Sequence, residues 1–92
     1  SLNVSVAAGI ALHAAAAAGW WRRLALRRPS DGQVALRLVE ALAAAGDVGA
    51  ALDHAGTHAH HLREEYGVSP DPALVRRVAS LREPAPAARP SA

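Results

Sequence analysis

Ninety-two residues without cysteine, lysine, methionine or phenylalanine, 51% of them hydrophobic and 24 of them alanine, make one small domain and exclude a multidomain enzyme. Alanine is the strongest helix former and a poor strand former, and β-branched and aromatic residues are few, so the expected fold class is all-α. The net charge of +2, from ten arginines against eight acids, is too balanced for a nucleic-acid-binding signature.

The charge is unevenly spread. Residues 1–28 hold four arginines and no acid, 29–67 two arginines and six acids, 68–92 four arginines and two acids. Such alternation favours packing between neighbouring helices, or a protein partner of mixed charge, over the single basic face of a DNA footprint. A chain this short buries roughly 60–65% of its unfolded surface, and no disulfide staples it. Absent cysteine fits a reducing compartment, so a cytoplasmic location is expected. Ser1 in place of Met suggests a piece of a longer chain.

The N-terminal segment, residues 1–13, is expected to be helical, with Gly9 or His13 as points where the helix could divide. From residue 14, Ala14, Ala17, Ala18, Trp21, Leu24 and Ala25 recur at helical spacing, small residues that admit a close neighbour beside a large anchor. Residues 1–21 carry no formal charge and lead into Trp20-Trp21-Arg22-Arg23, which superficially resembles a membrane span with an aromatic belt and a positive flank. Alanine contributes little to membrane transfer, however. Asn3, His13 and two serines interrupt the run, and no basic segment precedes it as a signal peptide requires. A buried bundle helix is the expectation, with a membrane-associated piece as an alternative.

Neighbouring tryptophans point about 100° apart on a helix. Trp21 in the core therefore leaves Trp20 partly exposed, and exposed Trp is enriched at binding hot spots. Arg22, Arg23, Arg27 and Arg28 are expected to share one broad basic flank. Its bland reading is a solvated face touching carbonyls near the helix end; an acidic protein partner and nucleic-acid phosphate are the functional alternatives.

Pro29-Ser30-Asp31-Gly32 breaks this helix and starts the next. Ser30 stands three residues before Gln33 in capping-box spacing, and Asp31 suits the positive end of the dipole. The second helix is expected from about Asp31 to Ala45, with Ala35, Leu38, Val39, Leu42 and Ala45 on one face and Arg37 paired with Glu40 on the other. Gly46 suits a left-handed turn and Asp47 a cap, so this two-residue link forces an antiparallel hairpin. The third helix, about Val48 to Tyr66, is expected to bury the stripe Val48, Leu52, Ala55, Ala59, Leu62 and Tyr66. Gly67 should close it in a Schellman ending, with Val68 folding onto Leu62. Asp71 as cap and Pro72 at the first position start a fourth helix, burying Leu74, Val75, Val78 and Leu81 and exposing Arg76, Arg77 and Arg82. Pro84, Pro86 and Pro90 cannot continue it, and residues 84–92 read as a disordered tail.

Two runs carry a family resemblance. Leu42-Ala43-Ala44-Ala45-Gly46-Asp47-Val48-Gly49-Ala50-Ala51-Leu52 resembles the tetratricopeptide inter-helix segment, in which Gly-Asp is followed by x-x-Ala-Ala-Leu. Trp21 and Pro29 match the large residue and terminal proline of a preceding half repeat, and Ala17 and Ala51 the small positions where helices cross. Leu62-Arg63-Glu64-Glu65-Tyr66-Gly67-Val68-Ser69-Pro70-Asp71-Pro72-Ala73-Leu74 is similar to the L-R-E-E-L-G-V-E-P-D-P-A-L run that closes the bacterial transcriptional activator domain. The resemblance covers about residues 14–83. It implies a tetratricopeptide-like array of helical hairpins (an α-α superhelix of about four helices) from a SARP-type regulator, in which this module follows a winged-helix DNA-binding domain. Residues 1–13 lack the Gly-Asp turn expected before the first matched helix. No winged helix lies within these residues, so the resemblance places DNA binding on none of them.

The chemistry-bearing residues are few. His54, His58 and His61, with His60, raise a metal site because His pairs at i, i+4 can chelate, but no cysteine or H-E-x-x-H pattern accompanies them. The expected reading is a solvated helix face with i, i+4 pairs His60–Glu64 and His61–Glu65, and no cofactor or metal; a pH-responsive interface is a further possibility. Glu64 and Glu65 oppose the dipole in a helix's last turn, so Arg76 and Arg77 are expected as their partners, the alternative being an acidic patch for a partner protein. With no nucleophile constellation, phosphate loop or carboxylate dyad, the expected function is a non-catalytic protein–protein interaction or oligomerisation module with no small-molecule substrate. Its partner would be another domain of the same regulator, a second copy or the transcription machinery. A nucleic-acid-binding helical module is the second class.

Overall fold

The computed structural model describes the backbone of residues 4–83 and the side chains of residues 12–83. Four helices follow in order, α1 Val4–Arg27, α2 Gly32–Ala44, α3 Val48–Tyr66 and α4 Pro72–Arg82, and no strand occurs among the described residues. The fold is all-α. The tail of residues 84–92 and its expected disorder lie outside the described residues.

α1 runs unbroken through Gly9 and His13, against the expected division into two pieces. A single interior glycine costs about 1 kcal/mol relative to alanine, and the alanine-rich run around it outweighs that.

The caps fix where the other helices begin. Asp31, not Ser30, caps α2, accepting hydrogen bonds from the backbone N–H groups of Gln33 and Val34 at 2.9 and 3.2 Å. The capping box expected from Ser30 is not formed, because the Ser30 hydroxyl faces α3 instead. Asp47 accepts from Ala50 N–H at 3.0 Å and Asp71 from Ala73 N–H at 2.7 Å, with Pro72 opening α4.

The endings differ from expectation in an instructive way. The Schellman motif belongs to Gly46, at φ +88°, where Gly46 N–H donates to the Ala43 carbonyl and Asp47 N–H to the Leu42 carbonyl. Gly67, at φ +65°, carries the simpler left-handed ending, its N–H donating to the Arg63 carbonyl at 3.0 Å. Val68 N–H reaches the Leu62 carbonyl only at 3.4 Å, and the Val68 side chain is exposed.

α2 is the central element, packed against each of the other three helices, while α4 also packs on α3. Its buried side chains Ala35, Leu38, Val39, Ala41 and Leu42 form one core with Ala18 of α1, Ala51 and Ala55 of α3 and Leu74 of α4, with Ala17, Trp21 and Ala25 flanking; Val34 is buried as well. Ala45 of the expected α2 stripe is only partly buried. Arg37 and Glu40 pair on the outer face at 3.9 Å, as the spacing predicts.

The α3 stripe is rotated. Ala51, Ala55, His58 and Leu62 are buried, Leu52 and Ala59 are half-buried, and Val48 and Tyr66 are exposed. Small Ala51 lets α2 come close, which turns that side of α3 inward and leaves the two ends of the expected stripe at the rim. In α4, Leu74 is fully buried and Val78 and Leu81 partly so, but Val75 is exposed.

Leu38 is 1% exposed at the centre of this core, so Leu38→Ala is expected to lower the unfolding free energy by about 2–5 kcal/mol in a urea titration. Gly46→Ala places a side chain at φ +88° and is expected to cost about 1 kcal/mol or more by the same measurement.

Candidate functional site

The four arginines at the end of α1 and just past it do not form one flank. Arg23 and Arg27 line an outward cleft of about 380 Å³ with Trp20, Leu24 and Leu26. Arg22 and Arg28 line a second cleft, about 290 Å³, between the end of α1 and α3. At about 100° per residue, Arg23 and Arg27, four apart, project only about 40° from each other, whereas Arg22 and Arg27, five apart, project about 140° apart, which separates the two sides. Arg28 also meets Asp31 at 3.8 Å.

The outward face of α1 is apolar where no helix covers it. Trp20 is 58% exposed and Leu26 81%, with Leu12 farther along the helix also exposed, while Trp21 packs on the core. α2 is the helix against which α1 packs, so this side of α1 has no partner among the described residues. Leu26 lines both clefts.

The inner cleft is built on the turn between α1 and α2. The Ser30 hydroxyl donates to Tyr66 Oη at 3.1 Å, which leaves its oxygen to accept from His61 Nε2–H, also at 3.1 Å. His61 and Tyr66 stack edge to face, ring centroids 6.2 Å apart. One turn earlier, His58 is buried, and its Nδ1 lies 3.1 Å from the Pro29 carbonyl oxygen. A carbonyl only accepts, so Nδ1 carries the proton and Nε2 of the neutral ring is a lone pair. That Nε2 is buried with no hydrogen-bond partner among the described residues. His54 is half-buried beside it, its pKa held below 6.5 by burial first, then by the charges of His58 and Arg22.

This overturns the expectation of a solvated histidine face. His60 alone behaves that way, exposed and 3.9 Å from Glu64. His61 turns to Ser30 rather than Glu65. Among the described residues no three His, Asp or Glu side chains converge as a metal site. The sequence signal for His58 was its place in the stripe Ala51, Ala55, His58, Leu62; Ser30 carries no periodic signal, since its partners are 31 and 36 residues away.

Glu64 and Glu65 are exposed and meet neither Arg76 nor Arg77 within ion-pair distance; Arg76 is exposed and Arg77 half-buried. α4 descends beside α3 so that Val78 and Ala79 face Ala55 and Gly56 across a shallow groove. Arg76 and Arg77 are thus already past the last turn of α3, and the expected inter-helix bridge does not form. No helix among the described residues is long and apolar enough to cross a membrane.

No protein family, characterised protein or solved structure matches this chain on comparison.

Because the folded His54 has a lowered pKa, the unfolded chain takes up its proton first as pH falls. Its contribution to stability is complete above about pH 6.5 and is lost as pH drops from there through the folded value. Urea unfolding at a series of pH values is expected to show this decline, and His54→Gln to flatten it.

Proposed function

We propose that this chain is a non-catalytic protein–protein interaction module, the tetratricopeptide-like bacterial transcriptional activator domain of a cytoplasmic transcriptional regulator, whose DNA reading is done by a domain outside these residues. The observation that carries the reading is the outward face of α1. Trp20 and Leu26 are large, apolar and exposed, and they flank a cleft bordered by Arg23 and Arg27. Isolated exposed apolar residues are ordinary, but an aromatic anchor beside arginines in one cleft has the composition of an interface centre.

The charges specify the partner. Residues 1–28 contain no acid, and neither Arg23 nor Arg27 has a carboxylate within ion-pair distance among the described residues. The fitting occupant is an amphipathic helix that lays apolar anchors on Trp20 and Leu26 and acidic residues on Arg23 and Arg27. Such a segment would come from the transcription machinery or from another part of the same regulator.

A photo-reactive phenylalanine analogue at position 20, introduced into the natural full-length protein in its own cells, tests this. Adducts to a subunit of RNA polymerase or to the regulator itself support the reading, and adducts confined to metabolic enzymes or membrane lipids overturn it. Trp20→Ala is expected to weaken the captured interaction about tenfold or more while leaving the melting temperature within a few degrees, since the side chain is mostly exposed. Salt-sensitive binding to non-specific DNA, lost in Arg23→Ala/Arg27→Ala, would favour the nucleic-acid alternative instead.

A further inference from the structure

The seam between α3 and the turn after α1 is held by contacts that depend on imidazoles. His58 Nδ1–H donates to the Pro29 carbonyl, His61 meets Ser30, and Tyr66 accepts from the same serine. His54 continues the row toward Arg22. Together they join residues about thirty positions apart in sequence, at a place where α1 and α3 have little direct backbone packing and rely on α2 between them.

We propose that this seam is a pH-sensitive latch, closed while His54 and His58 are neutral and opened when they take up protons. The geometry is asymmetric in charge. From α1 and the turn after it, Arg22 and Arg28 face the cleft; from the start of α2, Asp31 does so, but it is held by Arg28 at 3.8 Å. Along α3, Asp53 lies with Arg22 and His54 in the adjoining hollow. No charged group of α4 lines either space. Among the described residues none of these imidazoles has a carboxylate within ion-pair distance.

Protonation therefore adds positive charge beside two guanidinium groups, with Asp31 already held by Arg28 and Asp53 outside ion-pair distance of the imidazoles. At His58 it also creates an Nε2–H donor at an atom that is buried and has no acceptor. Parting of α3 from the turn gives that N–H water and separates the cations, and it loosens the turn around Asp31, while the cap at Asp47 and the α2 core contacts are untouched. The opening is local, because nothing that titrates near neutrality sits in the α2–α3 turn.

Amide hydrogen exchange on the full chain tests the latch. The Asp31 N–H, bonded to the Arg28 carbonyl, reports on the turn, and the Asp47 N–H, bonded to the Leu42 carbonyl, is the internal control. Between about pH 7.5 and 5.5 the protection factor of Asp31 is expected to fall about tenfold while that of Asp47 holds. In His54→Gln/His58→Asn, where asparagine keeps a donor near the position of Nδ1, Asp31 protection is expected to be independent of pH. Constant Asp31 protection in the wild type, or an equal fall in the double variant, overturns the proposal. Should that variant not fold, ring titration of the wild type by NMR decides. The His58 ring must gain its proton over the same interval in which Asp31 loses protection, and a ring that stays neutral through that loss overturns the latch.

Discussion

Close approach of helices across alanine is the constraint on which the rest of this structure depends. Only α2 brings several branched side chains to the centre, Leu38, Val39 and Leu42; the helices on either side answer with Ala18 from α1 and with Ala51 and Ala55 from α3. Dispersion and burial fall off within fractions of an ångström, so alanines contribute only if the helix axes are held near one another. The axes are positioned by the turns. Three aspartate caps start α2, α3 and α4 at fixed residues, and glycines at φ +88° and +65° end α2 and α3. Without long side chains to fill errors of placement, the caps do for this core what large aromatics do in others.

That division of labour explains which features were legible in the sequence. Helix limits are written in short-range chemistry, and Asp47, Gly46, Asp71-Pro72 and Gly67 mark them unambiguously. The capping site at Pro29-Ser30-Asp31 was legible as a cap but not as to which residue would act, because Ser30 and Asp31 both fit the local pattern. The choice is made at a distance: α3 offers Ser30 two partners, His61 and Tyr66, and Asp31 is left to bond the amides of α2. Periodicity likewise located the helical face of α3 only to within one side-chain row. A stripe containing His58 reads as less apolar than one containing Leu52 and Ala59, yet the small Ala51 and Ala55 decide which side α2 can approach, and His58 follows them into the interior.

The charged residues show the opposite limit. Spacing along the chain suggested one basic flank on α1 and an ionic bridge between the end of α3 and the start of α4. Both inferences count residues, whereas pairing depends on where helices run. Arg22 and Arg28 turn toward α3 and Arg23 and Arg27 away from it, and the descent of α4 along α3 carries Arg76 and Arg77 beyond Glu64 and Glu65. The acid-rich end of α3 is consequently left facing solvent, relieved only by the exposed His60–Glu64 contact, which contributes little to stability.

The two sides of α1 are not independent. Leu26 borders both the outward cleft with Trp20 and the histidine-lined cleft against α3. A side chain shared in this way links the two spaces without any long pathway: if α3 draws away from the turn, the far wall of the histidine-lined cleft that Leu26 borders recedes. A partner helix seated on Trp20 and Leu26 favours whichever Leu26 position completes its contact, and so biases the seam by the difference in its affinity for the two arrangements. Linkage then requires the reverse effect: the protonation of residues that the partner never touches must alter how tightly it binds. The proposed docking face on α1 and the proposed proton-sensitive seam on α3 thus share one residue, Leu26, and the sign of a coupling between them follows from which position of Leu26 the partner selects.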